Sequence, residues 1–203
     1  MIDPTNITNF SCTEHQLEEL ILFWVCAAGK NAITSSSSLN RLLVDFSETS
    51  PFCSIKKIGE NNLPLLLKKY GIGCYNNKSR TFYELANSNL NLGECSCEDL
   101  EKIYGIGMKT SRCFIIHSRK NALCAGLDTH ILKFLKMMGC EVPKSTPNKK
   151  LYLKLENEFI NLVSASKRPV AEIDLLIWNY FSGHKNVKEE FLCFCNSIEH
   201  CFI

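Results

Sequence analysis

The sequence predicts an all-α protein, and three observations predict it. Apolar residues recur at the helical period of about 3.6 along almost the whole chain. Capping residues and glycine stops bracket those stretches. No segment alternates apolar and polar residues with the period of two that a half-buried strand needs, and no repeat recurs at a fixed period. A chain of 203 residues is long enough to bury a real core, as one domain or as two small lobes.

The elements follow in order. Leu17, Leu20, Ile21, Trp24 and Val25 lay one apolar stripe along a helix from Thr13 to Ala28. "TSSSS", residues 34–38, reads as a loop or as a weak start for the helix "LNRLLVDF". "NNLPLLLKKYGIG" reads as a helix with Pro64 in its first turn and Gly71 as its stop. "NKSRTFYELANSNL" is a further short helix. Ser96 followed by Asp99 has the spacing of a capping box and opens "CEDLEKIY". "THILKFLKMMG" ends at Gly139, and "NKKLYLKLENEFINLVSAS" and "PVAEIDLLIWNYFSG" supply two more amphipathic helices. The loop "EVPKSTPNKK" is the clearest internal break.

Composition narrows the function classes. The net charge is +2 and the sequence pI about 7.9, so any contact with nucleic acid has to come from a local patch. No apolar run approaches the roughly 20 residues of a membrane span. The start "MIDPTNITNFSCTEH" lacks the basic-then-apolar layout of a secretion signal, so a cytoplasmic location is expected. The twelve cysteines are then expected to be free thiols in a reducing compartment. Cys95 and Cys97 lack zinc-knuckle spacing, and Cys193, Cys195 and Cys201 in "CFCNSIEHC" have no fourth ligand. No metal site and no cofactor are expected.

The chemistry concentrates in "YGIGMKTSRCFIIHS", residues 104–118, and in "GLDTHILKFL", residues 126–135. The first is a tight glycine turn feeding a helix. Gly105 and Gly107 let the backbone turn sharply, and the N–H groups of the turn and helix start form an anion nest that fits a phosphate diester. The same pattern also serves as an ordinary corner between two helices. Lys109 sits in the first helical turn, where the helix dipole disfavours a cation. A helix N-terminus and a partly dry pocket both lower a lysine pKa, so Lys109 reads either as a neutral nucleophile or as a plain phosphate contact. Asp128 precedes "THIL" as an N-cap. It reads equally as a carboxylate that assists a nucleophile or stabilises a cationic sugar transition state.

With Lys109, Asp128 and the Gly-Ile-Gly turn together, the sequence resembles the helix-hairpin-helix DNA glycosylase superfamily, which includes endonuclease III. "LILFWVCAAGKNA" is similar to the family's helix and gap-probing loop, and "GCYNNKSRTFYELA" to the segment before the hairpin. The resemblance runs from about residue 15 to residue 185. It is strongest to the compact archaeal type-2 8-oxoguanine glycosylases, through "PKSTPNKKLYLKLEN" and "EIDLLIWNYFSG".

The resemblance implies a two-lobed helical fold with a DNA and base cleft between the lobes. It implies one unit over 1–203, the hairpin at 96–119 and a C-terminal extension at 186–203. Lys109 and Asp128 would be the catalytic pair of a glycosylase with lyase activity, excising 8-oxoguanine. Gly105, Ile106, Gly107, Thr110, Arg112, Lys78, Lys30 and Asn31 would contact DNA. Asp174, Trp178 and Trp24 would line the base pocket, although Trp178 as a core residue with Asp174 as its neighbouring cap or ion-pair partner fits the pattern equally. The partner would be double-stranded DNA carrying a damaged or modified base, bound by a monomer.

Two departures stand out. The four-cysteine iron–sulfur loop of the endonuclease III type is reduced to a fragment. The archaeal type ends a few residues beyond the glycine that matches Gly183, whereas this chain runs on through "HKNVKEEFLCFCNSIEHCFI". Two alternatives remain open: a phage-type relative acting on modified pyrimidines, and a non-catalytic DNA-binding module.

Overall fold

A computed structural model describes residues 1–46, 50–143 and 147–198. The described residues form eleven α-helices and a short 3-10 turn at Pro4–Asn6, with no strand among them. They run α1 (Glu14–Ala27), α2 (Ala32–Val44), α3 (Pro51–Ile58), α4 (Leu63–Lys69), α5 (Tyr75–Asn87) and α6 (Cys97–Glu101). The chain continues through α7 (Met108–Ser118), α8 (Thr129–Met137), α9 (Lys149–Ala165), α10 (Val170–Ser182) and α11 (Lys188–Ile198).

The caps show why these stretches start where they do. Thr13 and Gln16 close a capping box on α1, and Ser96 and Asp99 close one on α6. The serine run that reads as loop or helix start is helix throughout. Asn31 accepts from the Thr34 N–H, so α2 begins before the serines, and Ser36 and Ser38 are buried within it. Helix α3 escapes the sequence reading because "PFCSIKKI" is too short to show a full apolar period. Ser50 as cap and Pro51 in the first turn are its only signals.

Two hydrophobic clusters divide the molecule. The first gathers Ile7 and the buried residues of α1 to α7, with Phe23, Leu42 and Phe82 fully enclosed. The second joins α8, α9, α10 and α11 around Phe134, Phe159 and Ile177. Helix α7 belongs to both: Phe114 and Ile115 face the first cluster and Ile116 the second. The extension beyond Gly183 is part of the second core, where Phe191 stacks on Tyr180 at 3.8 Å and Phe191, Phe194 and Ile198 are buried. Cys201 and the last residues of "CFCNSIEHC" lie outside the described residues.

Beneath the hairpin, a buried ion network fastens the lobes. Arg112 on α7 donates to Glu101 of α6 at 2.5 Å and to Glu156 of α9 at 2.7 Å. Glu156 also accepts the Ala125 N–H, at 2.9 Å.

Candidate active site

A cavity of about 900 Å³ opens between the two clusters. Phe23 and Trp24 line it from α1, Lys109, Cys113 and His117 from α7, Asp128 and His130 from the start of α8, and Asp174 and Trp178 from α10. Lys109 and Asp128, distant in sequence, therefore share one cleft.

Local packing brings them together. Gly126, two residues before Asp128, lies against α7 so closely that a Cβ would overlap Cys113 Sγ and come within 3.2 Å of the Lys109 carbonyl oxygen. Tyr152 fixes the same strip from the other side, its hydroxyl donating to the Ala125 carbonyl at 2.8 Å and accepting the Leu127 N–H at 3.0 Å. Asp128 caps α8 with one oxygen only: Oδ1 accepts from the N–H groups of His130 and Ile131, at 2.8 and 2.9 Å. The cap and the site carboxylate are thus one group, with Oδ1 spent on the helix and Oδ2 left to the cleft.

The electrostatics correct one expectation. From the sequence, a helix N-terminus and a partly dry pocket lower the Lys109 pKa if it is a nucleophile rather than a plain phosphate contact. Burial does disfavour its ammonium, but Cys113, Asp128 and Asp174 act the other way and prevail, so its pKa lies above the ordinary lysine value. The Cys113 thiol is itself pushed up to about 12 by burial. The Asp128 carboxyl is raised, first by burial and then by the Asp174 charge. The Lys109 ammonium also sits 5.1 Å from the centre of the Trp24 ring, a cation–π contact.

The other predicted residues divide into two groups. Lys30 and Asn31 are exposed at the cavity edge. Gly105 and Gly107 are exposed in the hairpin turn; Gly105 has φ +80°, and a Cβ there would meet Thr81 Oγ1 at 2.5 Å. Lys78 and Arg112, expected on the DNA backbone, are inside the protein. Lys78 Nζ donates to the Cys26 carbonyl at 2.6 Å and so caps the end of α1. Arg112 is spent on Glu101 and Glu156. Thr110 and Ile106 are buried as well, so their side chains support the hairpin from within.

Trp178 is half-buried, edge-on to His130 and stacked on His184 at 5.4 Å. Asp174 accepts from His117, and His117 stacks on Trp24. The three histidines escape the sequence reading because a lone histidine in a helix carries no spacing signal; only the fold assembles them around the cleft. Among the described residues, no group of three or more histidines, cysteines or acids has the grouping to hold a metal ion, and no helix is long and apolar enough to cross a membrane.

No family model matches the sequence. The fold is similar to the crystal structure of the 8-oxoguanine DNA glycosylase of Thermotoga maritima, with a TM-score of 0.64 and 22% sequence identity over 84% of this chain and 81% of that one. The likeness is one of fold, and on this side that fold is all-helical among the described residues.

Proposed function

We propose that this protein is a bifunctional DNA glycosylase and apurinic-site lyase that removes 8-oxoguanine from duplex DNA. The single observation that carries the reading is the placement of Lys109 and Asp128 in one cleft between the lobes, the ammonium over Trp24 and one carboxylate oxygen unspent. The likeness to an 8-oxoguanine glycosylase supports the choice of base. A binding module without chemistry has no use for a lysine that shares a cleft with two carboxylates.

The hairpin receives the DNA backbone. Helix α7 starts at Gly107 without a side-chain cap, and the space beside Gly107 is open. Its first N–H groups are therefore free to take a phosphate oxygen with no base contact. Lys30 and Asn31 follow the strands at the cavity edge. The target nucleotide leaves the stack, at a cost of a few kcal/mol, and its base enters the cleft beside Trp178.

Lys109 loses its proton and its amine attacks C1′. The C1′–N bond to the base breaks as Asp128 stabilises the positive charge that develops on the sugar. The base departs with a proton. The C1′–O4′ bond then opens, O4′ taking a proton as the Lys109 nitrogen forms the C1′=N Schiff base, and loss of a C2′ proton expels the 3′ phosphate by β-elimination, which cuts the strand 3′ of the lesion.

The test is a panel of duplexes carrying 8-oxoguanine, oxidised pyrimidines, uracil or hydroxymethyl-pyrimidines, with base release and strand cleavage scored separately. Release and cleavage confined to 8-oxoguanine are expected. Activity on modified pyrimidines alone assigns the cleft to the other substrate class.

A further inference from the structure

We propose that His117 is a positioning residue of this site: its ring ties one oxygen of Asp174 and so fixes a second carboxylate in the cleft that Lys109 lines. The inference rests on reading Lys109 as the nucleophile.

His117 lies on α7 two turns beyond Lys109 and is 1% exposed. Both ring nitrogens are engaged. Nδ1 is 2.7 Å from Thr8 Oγ1, and Nε2 is 3.1 Å from Asp174 Oδ2. A carboxylate only accepts, so in the neutral ring Nε2 carries the hydrogen and Nδ1 accepts from the Thr8 hydroxyl. The ring also stacks on Trp24 at 5.3 Å with 16° between the planes, on the same indole that faces Lys109. Three elements distant in sequence thus fix one imidazole: the segment before α1, α1 itself and α10. An apolar residue would fill the same space without the cost of burying two polar atoms.

The consequence falls on Asp174. Its carboxylate is buried, Oδ2 is tied to His117, and Oδ1 accepts no hydrogen bond from the described residues. Asp174 and Asp128 are the two acids lining the cleft. Held there, the second anion keeps a proton on Lys109 until the substrate arrives, and so sets the pH at which the nucleophile appears. The titratable and charged groups that line the cleft with Lys109 are Cys113 and His117 on its own helix, Asp128 and His130 from the start of α8, Asp174 from α10, His184 beyond α10, and Lys30 at the rim.

The direct test is the titration of Lys109 in the free, full-length protein by NMR of ¹³C-dimethylated lysines, its signal assigned by its loss in Lys109→Gln. His117→Phe, which keeps the stacked ring, and Asp174→Asn should each lower the midpoint by a similar amount, about tenfold in proton affinity. The double variant should go no further. His117→Gln, whose amide N–H can replace Nε2–H, should restore most of the shift. If His117→Phe does not fold, His117→Asn is the second variant: its amide is too short to reach Asp174, and the same lowering is expected. With unmethylated protein, the single-turnover rate on lesion DNA should change while duplex affinity does not. A midpoint unmoved in the folded His117 variant but lowered in Asp174→Asn overturns the proposal. The titration needs no substrate, so a wild-type protein that fails to react with lesion DNA overturns the lyase reading and leaves this one to be decided separately.

Discussion

Asp128 spends one oxygen on the cap of α8 and, in the proposed reaction, the other on the sugar, and this division makes a prediction. Its carboxyl is raised by burial and by Asp174, so the ionised group costs stability at neutral pH. The sign follows: a carboxyl raised on folding favours the folded state below its unfolded value of about 3.9, and that contribution is lost as pH rises through the folded value. Asp128→Asn keeps the cap, because asparagine caps about as well as aspartate, and removes the cost. Its melting temperature at neutral pH should equal or exceed the wild type's, while turnover falls by about 10²–10³. A lower melting temperature would mean that the charge itself holds α8. Lysines divide in the same way. Lys30→Ala should reduce the salt slope of DNA binding by about one, as one lost phosphate contact does, whereas Lys78→Met should leave the slope unchanged because Lys78 is spent on the Cys26 carbonyl. The sequence carried the identity of Lys109 and Asp128 through their glycine turn and cap. It did not carry the fate of Lys78 and Arg112, because burial of a cation depends on partners such as Glu156 that only the fold supplies.

At the scale of elements, caps and glycine stops made most helices legible, and close approaches did not. Gly126 looks like any loop glycine in the sequence, yet its missing side chain lets the strip that carries Asp128 lie on the backbone of α7. Gly126→Ala should destabilise the protein by about 1–3 kcal/mol, the usual cost of overpacking, and lower activity in the fraction that remains folded. Chemical denaturation with a parallel activity assay measures both. An Ala variant of unchanged stability and activity would mean that the strip can move away from α7 freely. The same limit hid α3, whose eight residues are too few for a period, and the buried face of the serine-rich α2.

At the scale of the whole molecule, the cleft exists because two cores meet along α7, and Arg112 locks that meeting. Arg112→Met leaves Glu156 buried without its cation, which costs about 3–5 kcal/mol. Adding Glu156→Gln should recover much of the loss, since the amide oxygen still accepts from Ala125. Denaturant midpoints of the single and double variants check this, and a double variant no more stable than Arg112→Met would place the loss in packing rather than charge. In the proposed reaction the cleft presents Lys109 to C1′ of the flipped nucleotide. Borohydride trapping on 8-oxoguanine duplex tests it most directly. A covalent protein–DNA adduct is expected, forming faster as pH rises through neutrality because Lys109, whose pKa lies above the ordinary lysine value, must lose its proton first. Lys109→Gln should lose both adduct and strand cleavage while still binding the duplex. An adduct and a cut strand in Lys109→Gln would contradict the claim and place the nucleophile elsewhere.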